Sequence, residues 1–114
     1  IGIELQARAL SAGLGREVTV DELIHAASRI AAQERMFAVR EGGTRARDVL
    51  PKKLINYQMP GSWPQDRLTA EDLEKMKDDY YRAMGWDLES GIPTAETLIA
   101  LGLSAIARDL RQVA

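Results

Sequence analysis

The residues best equipped for chemistry lie close together in Gln33–Pro51, reading QERMFAVREGGTRARDVLP, where four arginines and three acidic side chains crowd one short stretch. Guanidinium and carboxylate groups at this density either bind a polar ligand or pair with one another. Gly42-Gly43 breaks the stretch in two, and the charges on either side of the break have matching signs. We therefore expect Arg40, Glu41, Arg45 and Asp48 to form one ion-pair network. Such a network would lock the loop against the preceding helix end rather than hold a substrate.

Other chemistry is hard to assemble. His25 is the single histidine and flanks an apolar helical stripe, where such a residue is usually a surface or edge group. With no cysteine there is no thiol nucleophile, disulfide or thiolate metal site, and a carboxylate-only site would need a cluster that the spacing does not provide. Asp87-Leu88-Glu89-Ser90-Gly91 lacks the alternating oxygen ligands and the closing bidentate Glu of a calcium loop. No glycine-rich phosphate cradle follows a strand. No catalytic, cofactor-binding or metal-ligating residue is assigned in this chain.

Composition narrows the partners. A net charge of −2 and a pI near 5.4 argue against a nucleic-acid binder, which is ordinarily basic. The one candidate reading helix, AETLIAL, has no side chain suited to bases or phosphates. No apolar run approaches the roughly 18 residues of a membrane span, and no signal sequence is visible, so a cytoplasmic protein without membrane contact is expected. The chain starts at Ile1 rather than Met, as expected of a piece of something longer.

The elements that must position these residues read as helices. At 114 residues and 46% hydrophobic, the chain can bury one core, and its scarcity of aromatics suits packed helices. Ile3 to Ala12 carries helical apolar spacing and is closed by Gly13 and Gly15. Thr19-Val20-Asp21-Glu22 has the form of a capping box, with Val18 and Leu23 placed as a hydrophobic staple. From Val20 an apolar stripe runs through Leu23, Ala27, Ile30 and Phe37, widened by Ile24 and Ala31. That predicts a long helix to Glu41, about 33 Å at 1.5 Å per residue.

Asn56–Asp66 is a loop, broken by two prolines and a glycine. Its Tyr57, Met59 and Trp63 either clamp the loop to the core or line a ligand passage. Thr69 caps a further helix with Asp72 as the reciprocal partner; Leu73, Met76, Tyr80 and Met84 mark one face, with Tyr81 beside it, and Gly85 ends it. Thr94 caps a short helix holding Leu98 and Leu101, and a last helix spans about Ala105 to Val113. The expected fold is all-α: one small orthogonal-type bundle of about five helices around the long central helix, residues 20–41, in a single domain covering 1–114.

Together these landmarks resemble the C-terminal helical domain of the tungsten-pterin aldehyde:ferredoxin oxidoreductase family. The family pattern G-E-R-I-x-N-L-x-R-x-F-N-x-R-E-G-x-T-R-x-x-D-x-L-P is met by Arg29, Ile30, Arg35, Phe37, Arg40, Glu41, Gly42, Thr44, Arg45, Asp48, Leu50 and Pro51, in register. Tyr80-Tyr81, Gly85-Trp86-Asp87, Gly91-Ile92-Pro93-Thr94 and Leu101-Gly102-Leu103 follow in the family's order. Ser28, Ala32, Gln33 and Ala38 stand where the pattern has Glu, Asn, Leu and Asn, which marks a divergent member.

The resemblance implies an enzyme that oxidises an aldehyde to a carboxylic acid at a tungsten (or molybdenum) bis-pterin. Electrons would leave through a four-iron, four-sulfur cluster to a ferredoxin-type carrier. In that setting this chain is the C-terminal part of a larger oxidoreductase. It would be inactive alone, partnered by the parent's remaining domains, and would help enclose the cofactor and the substrate channel. The competing expectation is a free-standing helical interaction module with no redox activity.

Overall fold

The computed structural model describes residues 1–113, with side chains described through Leu110. Among the described residues there are five α-helices: α1 (Ile3–Leu14), α2 (Val20–Arg40), α3 (Ala70–Met84), α4 (Ala95–Ala100) and α5 (Ser104–Val113). Three single 3-10 turns, at Arg45–Arg47, Lys52–Leu54 and Pro64–Asp66, punctuate the long link between α2 and α3. Among the described residues there is no strand, only one isolated antiparallel bridge between Trp86 and Pro93. The all-α expectation holds, with the long helix ending one residue before Glu41.

Local chemistry explains where the helices begin and end. Thr19 Oγ1 accepts the Glu22 N–H at 3.1 Å, but the Glu22 carboxylate turns to Arg16, 2.8 and 3.3 Å away, so this box closes with one arm. On α3 both arms form: Asp72 N–H donates to Thr69 Oγ1 at 3.1 Å, and Thr69 N–H donates to Asp72 Oδ2 at 2.9 Å. Thr94 caps α4 through the Thr97 N–H at 3.1 Å. After α2, Gly42 takes φ 84°, a left-handed turn that side chains resist, and the Gly43 N–H returns to Ala38 O at 2.7 Å.

The core sits at one end of the molecule. Ala32, Leu98, Leu103 and Ala107 are fully enclosed, with Met36, Ala95, Leu101, Ile106 and Leu110 packed around them. These residues join the second half of α2 to the α4–α5 hairpin. Arg29, one turn earlier on α2, donates to the carbonyls of Leu101 (2.8 Å) and Gly102 (3.2 Å), satisfying acceptors left free where α4 ends. At the other end, Ser11 Oγ accepts the Val18 N–H at 2.8 Å and closes the α1–α2 turn, with Ala7 and Val18 buried there.

The apolar stripe read along α2 faces away from this core. At about 100° per residue, Leu23, Ala27, Ile30 and Phe37 lie roughly 150° around the helix from Ala32 and Met36. Ile30 is 56% and Phe37 61% exposed. The side that is buried carries small and flexible residues, Ala32 and Met36, which allow α4 and α5 to approach closely. Periodicity located the apolar face; only the packing reveals that this chain buries the opposite one.

Candidate functional site

Asp48 is the point on which the charged segment converges. Arg35, in the last third of α2, grips it with both terminal nitrogens, Nη1 to Oδ1 at 2.8 Å and Nη2 to Oδ2 at 2.6 Å. Arg35 Nε donates to the Gly91 carbonyl at 2.8 Å, so the guanidinium is spent on structure from three directions. The Tyr81 hydroxyl, from α3, also donates to Asp48 Oδ2. One carboxylate thus ties α2, the post-helix loop and α3 together.

The aromatic wall behind it is stacked in order. Tyr81 and Trp86 rings lie 6.0 Å apart at 29°, and Tyr80 meets Trp86 edge-on at 5.4 Å and 87°. The Arg35 guanidinium carbon stands 5.2 Å from the Trp86 ring and 5.9 Å from that of Tyr81, a cation held against aromatic faces. Its side chain is only 11% exposed. Gly91 makes this packing possible: φ is 69°, and a Cβ there would meet Arg35 Nη2 at 2.6 Å and the Tyr81 ring at 2.9 Å.

Electrostatics follow the contacts. The hydrogen bonds from Arg35 hold the Asp48 carboxyl below the usual carboxylate range, against the opposing effect of its partial burial, with the Tyr81 hydroxyl adding to the same side. Burial, and then the hydrogen bond to Asp48, push the Tyr81 phenol up to about 12. Arg35 is raised by the same pairing with Asp48. At neutral pH this is an ionised pair with a neutral phenol, poised to hold and not to transfer protons.

Arg45 works in a second cluster. It pairs with Glu74 and Asp78 on successive turns of α3 and donates to the Leu88 carbonyl at 2.7 Å. Its own N–H reaches the Ser90 carbonyl at 2.8 Å. The segment between Thr44 and Asp48 is thereby wedged between α3 and the Asp87–Gly91 turn, itself closed by Asp87 accepting from the Ser90 N–H and hydroxyl at 2.7 and 2.6 Å.

The expected mutual network of Arg40, Glu41, Arg45 and Asp48 does not form. Among the described residues Arg40 and Glu41 ion-pair with each other alone, at 3.3 Å on the surface, and Arg40 also lies over the Phe37 ring at 4.9 Å. Arg45 and Asp48 turn to partners distant in sequence. Matching signs across the break suggested pairing, but the left-handed turn at Gly42 carries the loop away from the helix end toward α3. Arg35, Glu74, Asp78 and Tyr81 are the partners that sequence reasoning left unassigned. Arg35, thirteen positions before Asp48, stood in the family pattern beside it.

Tyr57, Met59 and Trp63 do not clamp their loop to the core of this chain, being 54%, 64% and 71% exposed. The loop is nevertheless ordered by its own bonds. Asn56 N–H donates to Leu68 O at 2.7 Å across its neck, and Gln58 Nε2 bonds Ser62 Oγ at 2.7 Å and Trp63 O at 3.0 Å. Between α2 and α3 an open cleft of about 520 Å³ is lined by Ala31, Glu34, Met76, Tyr80, Tyr81 and Trp86, among others. Its buried floor includes the Trp86 Nε1, which has no hydrogen-bond acceptor among the described residues.

Among the described residues no three His, Asp or Glu side chains are placed to hold a metal ion, and the sequence contains no cysteine. His25 is exposed on α2. No described helix is long and apolar enough to cross a membrane.

Comparison with known proteins agrees with this layout. Residues 1–103 match the family described as "Aldehyde ferredoxin oxidoreductase, domains 2 & 3". The chain is 34% identical over 96 residues to a tungsten-containing aldehyde ferredoxin oxidoreductase of Pyrococcus furiosus, covering 83% of this chain and 15% of that protein. The corresponding Pyrococcus horikoshii protein is 32% identical over 95 residues, again covering 15% of its length. Among solved structures, the active site complex BamBC of benzoyl coenzyme A reductase with 1,5-dienoyl-CoA aligns over 100% of this chain and 16% of that one, at 28% identity and a TM-score of 0.77. With the family matched over residues 1–103 and a relative 34% identical over 83% of the chain, the chain belongs to the aldehyde ferredoxin oxidoreductase family.

Proposed function

We propose that this chain is the helical C-terminal domain of a larger enzyme that oxidises an aldehyde to a carboxylic acid and passes electrons through an iron–sulfur cluster to a ferredoxin-type carrier. The observation that carries the reading is the family match over residues 1–103. The chain spans about 15% of the length of the relatives it matches, so the activity belongs to the parent protein.

The donor set here does not fit the family's iron–sulfur cluster. A four-iron cluster needs thiolates, and this chain has no cysteine. A tungsten bis-pterin is held through the dithiolene sulfurs of its pterins, so it asks no cluster of ligating side chains of this chain, and none is present among the described residues. No step of the reaction is assigned to these residues. Their role is enclosure: the Arg35–Asp48–Tyr81 tie makes a stiff wall, and the ordered loop projects Tyr57, Met59 and Trp63 from it to line the aldehyde passage.

The test is made on the full-length parent. It should contain tungsten or molybdenum and iron, and should reduce a viologen dye with an aldehyde. Trp63→Ala should change KM among aldehydes of different size while leaving kcat for the smallest nearly unchanged. A parent without metal or aldehyde-dependent dye reduction would refute the functional reading. Unchanged KM values across the aldehyde series would refute the passage.

A further inference from the structure

This chain exposes more surface than a self-contained fold of its mass. Its accessible area is 8396 Å², whereas a folded monomer of 12.6 kDa has about 6,200 Å². The radius of gyration is 17.8 Å, against about 13 Å for a compact domain of this length. The molecule is a slab of 49 × 41 × 20 Å, and the excess of about 2,200 Å² is interface-sized.

The apolar side chains along this face of α2 are regularly spaced. Val20, Leu23, Ala27, Ile30, Glu34 and Phe37 follow alternating steps of three and four, the seam of a helix that packs lengthwise on another helix. Val20 and Leu23, nearest α1, are half-buried, while Ile30 and Phe37 are open. Glu34 also lines the cleft between α2 and α3, so the seam borders the cleft there, while Phe37 at its far end lines a groove shared with α5. The far rim is Met76 and Tyr80, one turn apart on α3 and each about half exposed.

We infer that this surface receives an α-helix from the parent polypeptide outside residues 1–114, lying along α2 with its apolar face against Ile30, Phe37, Met76 and Tyr80. Three observations select that occupant over a second copy or a small ligand. The spacing on α2 suits a helix. The excess area of the whole chain is large enough to include such an interface. The relatives have over five-sixths of their length outside the matched region to supply the cover. Glu34 is the one charged member of the seam and makes no ion pair among the described residues, so the incoming helix carries a Lys or Arg opposite it. The inference rests on the reading of the chain as part of a larger enzyme.

The experiment places a photoreactive benzophenone amino acid at position 30 of the full-length parent. The expected adduct joins position 30 to a helical peptide of the same polypeptide outside this chain. An adduct to a second copy, an adduct to another protein, or none would overturn the inference. A second measurement uses Ile30→Asp and Met76→Asp in the parent; both positions are over half exposed in this chain, so its own packing is spared. Each should lower the parent's unfolding temperature by about 5 °C, as burying a carboxylate in an apolar seam requires. An unchanged unfolding temperature in both would also overturn it. Crosslinking needs no turnover, and dye reduction needs no crosslink, so failure of the seam and failure of the functional reading are separately visible.

Discussion

Arg35 and Asp48, thirteen residues apart, meet in a two-point ion pair with both oxygens engaged at 2.8 and 2.6 Å. The guanidinium is nearly enclosed and the carboxylate is partly open. The pair joins the last third of α2 to the loop that follows it, and the Tyr81 hydroxyl adds α3 to the same carboxylate. The geometry of a flat fork explains why arginine stands here: a lysine ammonium cannot hold two oxygens and a carbonyl at once.

Removing that fork should be costly. Arg35→Ala strands Asp48 and the Gly91 carbonyl and opens the wall behind Trp86, and should destabilise the protein by about 3 kcal/mol. Arg35→Lys should recover less than half of the loss, since one contact replaces three. Urea unfolding of the two variants measures both; a Lys variant as stable as wild type would exclude the bidentate account.

Stability should fall at both ends of the pH scale through this cluster. The Asp48 carboxyl is depressed, chiefly by Arg35, so its contribution is complete above the ordinary carboxylate range and is lost as pH falls through its lowered folded value. The Tyr81 phenol is raised to about 12, so its contribution is complete below its ordinary value near 10 and is lost as pH climbs through 12. Unfolding temperatures across the pH range should be flatter below pH 4 for Asp48→Asn and flatter above pH 10 for Tyr81→Phe. Both variants should be less stable than wild type at pH 7.

Gly91→Ala should be among the most damaging small substitutions. Its φ of 69° is unfavourable for alanine, and the added methyl meets Arg35 and Tyr81 well inside contact distance. A loss of about 2–4 kcal/mol is expected in thermal or urea unfolding. Gly13→Ala, within α1 and facing open space, should be neutral or slightly stabilising by the same measurement.

Arg45 should respond to salt where Arg35 does not. Its acidic partners, Glu74 and Asp78, are half-open to solvent and screened accordingly. Raising ionic strength should lower the unfolding temperature of wild type toward that of Arg45→Met. The difference between Arg35→Ala and wild type should persist. A salt-independent Arg45→Met difference would indicate that packing against the Tyr81 ring, 5.4 Å away, dominates instead.

What was readable in the chain itself was decided locally, though not every local detail was readable: Glu22 leaves its capping arm for Arg16, and α1 runs through Gly13 to Leu14. Thr19, Thr69 and Thr94 cap helices because their hydroxyls need only an N–H three residues on. The break at Gly42 and the loop between Asn56 and Asp66 follow from backbone restrictions carried by glycine and proline. The register of arginines, glycines and aromatics also carried the family. Tertiary structure decided the rest, because pairing depends on where the chain goes after each break. The turn at Gly42 sends Arg45 to α3 and Asp48 back to Arg35, replacing the local network that charge pattern alone suggested. The same limit applies to α2. Its spacing marks an apolar face, but only packing shows that α4 and α5 take the opposite side and leave Ile30 and Phe37 open. Periodicity records that a face is apolar, whereas what covers it is a property of the assembled surfaces.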